Sequence, residues 1–121
     1  MTFLLVDDYP ASRQLMRDVL ECAGHSFIEA SDGSEAVLAQ QQHRPDWILM
    51  DIDMPGMDGL VATRIIHAHD PAVPIIVITN HHTPAMRSAA IEAGACAFLA
   101  KDDLLDLPNL ISQQTAFLKQ S

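Results

Sequence analysis

The sequence predicts a doubly wound α/β domain, a five-stranded parallel sheet with helices on both faces. Three observations predict it. Five short apolar runs are continuous rather than alternating, amphipathic segments follow each of them, and Pro and Gly fall at the junctions. Continuous apolar runs suit strands buried on both sides, and the alternation with helices suits parallel βα units. With 121 residues, 49% of them hydrophobic, the chain is long enough to bury one core, and a single domain over residues 1–121 is expected.

Phe3 to Val6 forms the first strand. Pro10 suits a first helical turn, and Leu15, Met16, Val19 and Leu20 recur at helical spacing until Gly24 closes the helix. Ser26 to Ala30 is the second strand; Ser34 is expected to cap a helix bearing Ala36, Val37 and Leu38, which Pro45 ends. Trp47 to Met50 is the third strand, followed by a Pro/Gly turn. Asp58 then caps a helix with Leu60, Val61, Ile65 and Ile66 that stops at Asp70-Pro71. Ile75 to Ile78 is the fourth strand, Thr83-Pro84 starts the next helix and Gly94 ends it. Ala97 to Ala100 is the fifth strand, and Leu107-Pro108 opens a last helix with Leu110, Ile111, Phe117 and Leu118 on one face.

Composition narrows the function. A net charge of −9 with only 7 Lys and Arg argues against nucleic acid or an anionic membrane as a direct partner, so any DNA contact requires another domain. The longest apolar runs fall far short of the roughly 20 residues that cross a bilayer. The amino terminus lacks the basic region of a signal peptide and meets two carboxylates early, so a cytoplasmic location is expected. Cys22 and Cys96 stand in apolar contexts without a CxxC pair and are read as small buried hydrophobes. His25, His43, His67, His69, His81 and His82 offer no spaced ligand pair with a strand-end partner and are read as surface residues. Met54 and Met57 are read as loop residues that pack.

In open parallel sheets ligands bind outside the carboxyl ends of the strands. Here the first strand runs into Asp7-Asp8, the third into Asp51-Ile52-Asp53, the fourth into Thr79-Asn80 and the fifth into Lys101, whereas the second meets Ala30-Ser31. In the flavodoxin-like order 2-1-3-4-5 the four loaded ends are neighbours and converge on one crevice. Carboxylates so gathered repel one another by ~4 kcal/mol per pair at 4 Å and an effective dielectric of 20, which calls for a cation. Oxygen ligands without His or Cys select a hard divalent ion, and magnesium suits a small site that also holds a phosphoryl group. Lys101 and Thr79 are the cation and hydroxyl donor expected around a tetrahedral anion, and a carboxylate can be the nucleophile in phosphoryl transfer.

On these residues the whole chain resembles the receiver domain of bacterial response regulators. Val6-Asp7-Asp8 is similar to the family's acidic pair, and the run from Asp51 to Gly59 to its phosphoacceptor loop. Ile75 to Thr79 is similar to the strand ending in the switch Thr, and Gly94 to Lys101 to the segment ending in the family Lys. The resemblance implies a phosphoryl group accepted on Asp51 from a sensor histidine kinase or phosphotransfer protein, with a downstream protein or fused output domain as the second partner. It implies magnesium held by Asp8 and Asp51 directly, Asp7 through water and Asp53 by its backbone carbonyl. Thr79 and Lys101 would contact the phosphoryl oxygens, and Phe98 would fill the space that Thr79 leaves on moving to them. Apart from this self-catalysed transfer and autodephosphorylation, no enzymatic activity is expected.

Three departures border the acceptor. Asp102 follows Lys101 where many receivers have Pro, a Lys-Asp pair familiar from receivers that precede LuxR/NarL-type helix-turn-helix domains. Asn80 replaces the usual small residue, and the Asp53 side chain, with His81, flanks the route of hydrolytic water. Two other readings compete. The Asp51-Ile52-Asp53 run also resembles the first motif of haloacid-dehalogenase-type phosphatases, but those place an acidic pair after the Lys and need a larger chain. The other is a receiver-like binding module that works without phosphate. A calcium-binding EF-hand is disfavoured, since Pro55 and Ala62 fall where ligands belong.

Overall fold

The computed structural model describes residues 1–20, 24–54 and 58–120, with side chains as far as residue 116. The elements are β1 (Thr2–Val6), α1 (Pro10–Val19), β2 (Ser26–Ala30), α2 (Gly33–His43), β3 (Trp47–Asp51), α3 (Gly59–His69), β4 (Ile75–Thr79), α4 (Pro84–Ala93), β5 (Ala97–Ala100) and α5 (Leu107–Gln120). The five strands form one parallel sheet in the order β2-β1-β3-β4-β5, as expected.

Alternate residues of the strands feed two cores. Leu4, Val6, Ile48, Met50, Ile75 and Val77 pack with Ala36, Ala62, Ile66 and Ala90 from α2, α3 and α4. Phe3, Leu5, Leu49, Ile76 and Ile78 pack with Met16, Leu107 and Ile111 from α1 and α5. Both faces are therefore covered, which is why the strands read as unbroken apolar runs. Each fully buried Leu, Ile or Phe contributes about 1.5–3 kcal/mol, so sheet burial outweighs any single helix cap near 1 kcal/mol.

Two caps follow the sequence. Asp58 accepts from the Val61 N–H at 2.9 Å, and Thr83 from the Met86 N–H at 3.1 Å. Gly94 ends α4 at φ +115°, and a Cβ there would lie 2.4 Å from the His67 ring, so both conformation and space require glycine.

Asp32, not Ser34, caps α2, accepting from the Glu35 N–H at 2.8 Å; its carboxylate also suits the positive helix end. Leu15 and Leu38 are about half exposed, because α1 and α2 turn Met16 and Ala36 toward the sheet instead. Helix α1 stops at Val19, before Gly24. A six-residue 3-10 helix, Lys101–Asp106, precedes α5 and buries Leu104. Cys96 is half-buried, and burial pushes its thiol pKa up. Met54 joins the first core, whereas Cys22, Met57 and the side chains of Phe117 and Leu118 lie outside the described residues. No described helix is long and apolar enough to cross a membrane.

Candidate functional site

Register brings the strand ends level. Val6 pairs with Met50, Asp51 with Ile78 and Thr79 with Ala100, so Asp7, Asp51, Thr79 and Lys101 leave four adjacent strands within a residue of one another. Asp7, Asp51 and Thr79 are fully buried, and Asp8 is half-buried. Gly59 makes the approach of α3 to this end possible. A Cβ on it would lie 2.3 Å from the Asp51 carbonyl oxygen and 2.7 Å from Ile52 Cα, so only glycine lets α3 start so close to β3.

Asp7 Oδ1 accepts from the Tyr9 N–H at 3.0 Å, and Asp51 Oδ1 from the Asp53 N–H at 3.0 Å. The other oxygen of each faces Lys101, whose Nζ lies 3.1 Å from Asp7 Oδ2 and 3.5 Å from Asp51 Oδ2. One cation thus serves two buried anions. Burial raises the Asp51 pKa to about 6; the Asp53 N–H and Lys101 oppose this, while the Asp7 and Asp53 charges add to it. Burial alone would lower the Lys101 pKa, but the two carboxylates outweigh it and hold the ammonium above its ordinary value.

Asp7, Asp8 and Asp51 each offer a carboxylate oxygen, all within 4.8 Å of one another. Asp8 Oδ1 is buried with no hydrogen-bond donor, and buried Asp7 Oδ2 is met by the Lys101 ammonium at 3.1 Å. A buried acceptor left unsatisfied among like charges fits a hard divalent cation.

The Asp53 carboxylate turns away from this group. Its Oδ2 accepts from the Thr79 hydroxyl at 2.9 Å and the Asn80 N–H at 3.1 Å, and its Oδ1 lies 2.8 Å from His81 Nδ1. Burial works to raise the Asp53 pKa, but these three contacts outweigh it and hold the carboxyl below its usual range. The two histidines read as mere surface are exposed yet engaged. His81 pairs with Asp53, and the His82 ring stacks on buried Phe98 at 5.4 Å and 15° between planes. His81 was placed with Asp53 beside the acceptor by the sequence; the signal that could have found His82 is its place just after the fourth strand end.

This fold and strand-end cluster define a phosphoacceptor signalling domain. The chain belongs to the response regulator receiver domain family, whose model matches residues 3–112. It is 34% identical over 121 residues to response regulator MprA of Mycobacterium avium, covering 100% of this chain and 52% of that protein. A solved LuxR-family two-component response regulator from Aurantimonas sp. SI85-9A1 superposes with a TM-score of 0.87 at 34% identity, covering 98% of this chain and 85% of that one. The Mn(2+)-bound form of response regulator Rcp1 superposes with a TM-score of 0.76 at 28% identity, covering 88% of this chain and 87% of that one. The chain spans between 13% and 52% of the length of the curated relatives it matches. Membership in the receiver family leaves the phosphatase reading without support.

Proposed function

We propose that Asp51 is the phosphoacceptor, and that magnesium is the cation of the cluster. The observation that carries this is the setting of Asp51: a fully buried carboxylate 3.5 Å from Lys101, beside Asp7 Oδ2, which the same ammonium meets, and Asp8 Oδ1, a buried acceptor with no donor. Asp8 and Asp51 would ligate the ion, Asp7 would assist through water and Asp53 through its backbone carbonyl. The Mn(2+)-bound form of Rcp1 supports a divalent ion in a relative. When bound, the ion supplies positive charge against the repulsion between a carboxylate nucleophile and an incoming phosphoryl group.

The donor is a phosphohistidine on a sensor kinase or phosphotransfer protein. An Asp51 oxygen attacks phosphorus in line, a P–O bond forms, and the P–N bond breaks with its electron pair returning to the imidazole. Lys101 holds charge on the phosphoryl oxygens, and the Thr79 hydroxyl donates to one of them. The product surface acts on a downstream protein or an output domain, through which any DNA contact would run. The site works in the cytoplasm, where such kinases present their phosphohistidine.

Incubation with a small acyl phosphate and magnesium tests the reading. Expected is a hydroxylamine-sensitive mass gain of one phosphoryl group, absent from Asp51→Asn. No gain in the presence of magnesium, or an equal gain in Asp51→Asn, overturns it.

A further inference from the structure

The β4–α4 loop holds an anion that belongs to the chain itself. The Thr79 hydroxyl and the Asn80 N–H converge on Asp53 Oδ2 at 2.9 and 3.1 Å, and His81 Nδ1 lies 2.8 Å from Oδ1. The Thr79 hydroxyl also accepts from the His81 N–H at 2.9 Å, so its single proton is committed to Asp53. A phosphoryl oxygen on Asp51 would need that same proton.

The same loop reaches Phe98. Val77 pairs with Phe98 and Thr79 with Ala100, so Phe98 and Thr79 are diagonal neighbours on one sheet face. His82, next to His81, stacks on the Phe98 ring, which is 7% exposed and packed in the first core. Pinning the loop at Asp53 therefore holds the His82 cover over Phe98. Both ends of one short loop are fixed before any phosphate arrives.

We propose that Asp53 is a positioning residue, an internal stand-in for a phosphoryl oxygen that occupies the Thr79 and Asn80 donors at rest and keeps Phe98 inside. Phosphorylation then exchanges one anion for another at these donors rather than creating the arrangement. The inference rests on Asp51 as acceptor. Its direct consequence, an ordered loop and a buried Phe98 without phosphate, does not.

NMR of ring-labelled phenylalanine, with amide exchange of the loop, tests it in the chain without donor or metal. In wild type the Phe98 ring shows one buried environment, and phosphorylation moves it little. In Asp53→Ala the unphosphorylated ring shifts and broadens, and amides of Asn80 and His81 exchange at least about tenfold faster, as loss of charge-assisted hydrogen bonds requires. Phosphorylation of Asp53→Ala restores the wild-type signals, and the variant takes up the phosphoryl group faster because Thr79 is free. Asp53→Asn, which keeps an acceptor without the charge, changes the same signals less. Unchanged Phe98 signals and exchange in Asp53→Ala overturn the proposal, as does a wild-type Phe98 ring that moves on phosphorylation as far as the variant's. Failure of either protein to gain phosphoryl mass instead tells against Asp51 as acceptor, and the comparison without donor still decides the role of Asp53.

Discussion

Replacing Asp51 by Asn stabilises the folded chain in metal-free buffer at neutral pH. The Asp51 carboxyl titrates at about 6 against an ordinary 3.8, because its burial outweighs its favourable contacts. A carboxyl whose pKa is raised by folding binds its proton more tightly in the folded state, so ionising it costs stability. At ~1.4 kcal/mol for each pH unit between the two values, the cost above pH 6 is ~3 kcal/mol. Asn resembles the protonated carboxyl and still accepts from the Asp53 N–H. Its amide nitrogen, however, replaces an acceptor facing Lys101, which takes back ~1 kcal/mol. The net gain of about 2 kcal/mol raises a urea midpoint by ~1 M for an m-value of ~1–3 kcal/mol/M. The advantage is full well above pH 6 and shrinks as pH falls between about 6 and 4; below about 4, where Asp51 is protonated in folded and unfolded chains alike, only the ~1 kcal/mol loss at Lys101 remains. The single tryptophan, Trp47, is buried in β3 and reports unfolding by fluorescence. A variant no more stable than wild type at pH 7, or an advantage undiminished at pH 4, means that burial does not raise the Asp51 pKa.

Other substitutions probe the neighbours. Lys101→Met removes the one cation between Asp7 and Asp51, so a carboxyl NMR titration should find the Asp51 pKa above its wild-type value, with stability at pH 7 falling by ~3 kcal/mol; an unshifted pKa would contradict the ion pairing. Magnesium at a hundredfold excess over its dissociation constant raises wild-type stability by ~2.7 kcal/mol, and Asp8→Asn reduces that gain; equal gains in both proteins remove Asp8 from the cation site. Gly59→Ala drives a methyl into the Asp51 carbonyl, so thermal unfolding should show a loss of ~3 kcal/mol or more with impaired phosphorylation, and a neutral substitution would show that α3 moves freely on β3. Asp58→Ala costs ~1 kcal/mol by loss of a cap, read from the urea midpoint, while acceptance of phosphate stays normal.

The site was largely legible because topology does the collecting. Once β1, β3, β4 and β5 are recognised as parallel neighbours, Asp7, Asp8, Asp51, Thr79 and Lys101 must meet, whatever the details of each turn. What the sequence hid depends on side-chain direction in loops. Asp53 was read as a metal residue through its backbone and as a side chain flanking, with His81, the route of water, but nothing in the run around it says that its carboxylate bonds to Thr79, Asn80 and His81. His81 and His82 carry no ligand spacing, and only the folded loop sets one on Asp53 and the other on Phe98. The helix starts show the same limit. Thr83 caps α4 as read, whereas Ser34 was read as the cap of α2 and Asp32, two residues earlier and charged, takes that place. The 3-10 helix Lys101–Asp106 was hidden because a short turn with one buried residue, Leu104, has no period to detect.

Lys101 stands at the end of β5, which has a strand beside it only on the β4 side, while the two anions it serves belong to β1 and β3 inside the sheet. The ammonium is thus a tether from a border to an interior. A change of charge at Asp51 therefore alters an ion pair that joins the interior of the sheet to its border strand.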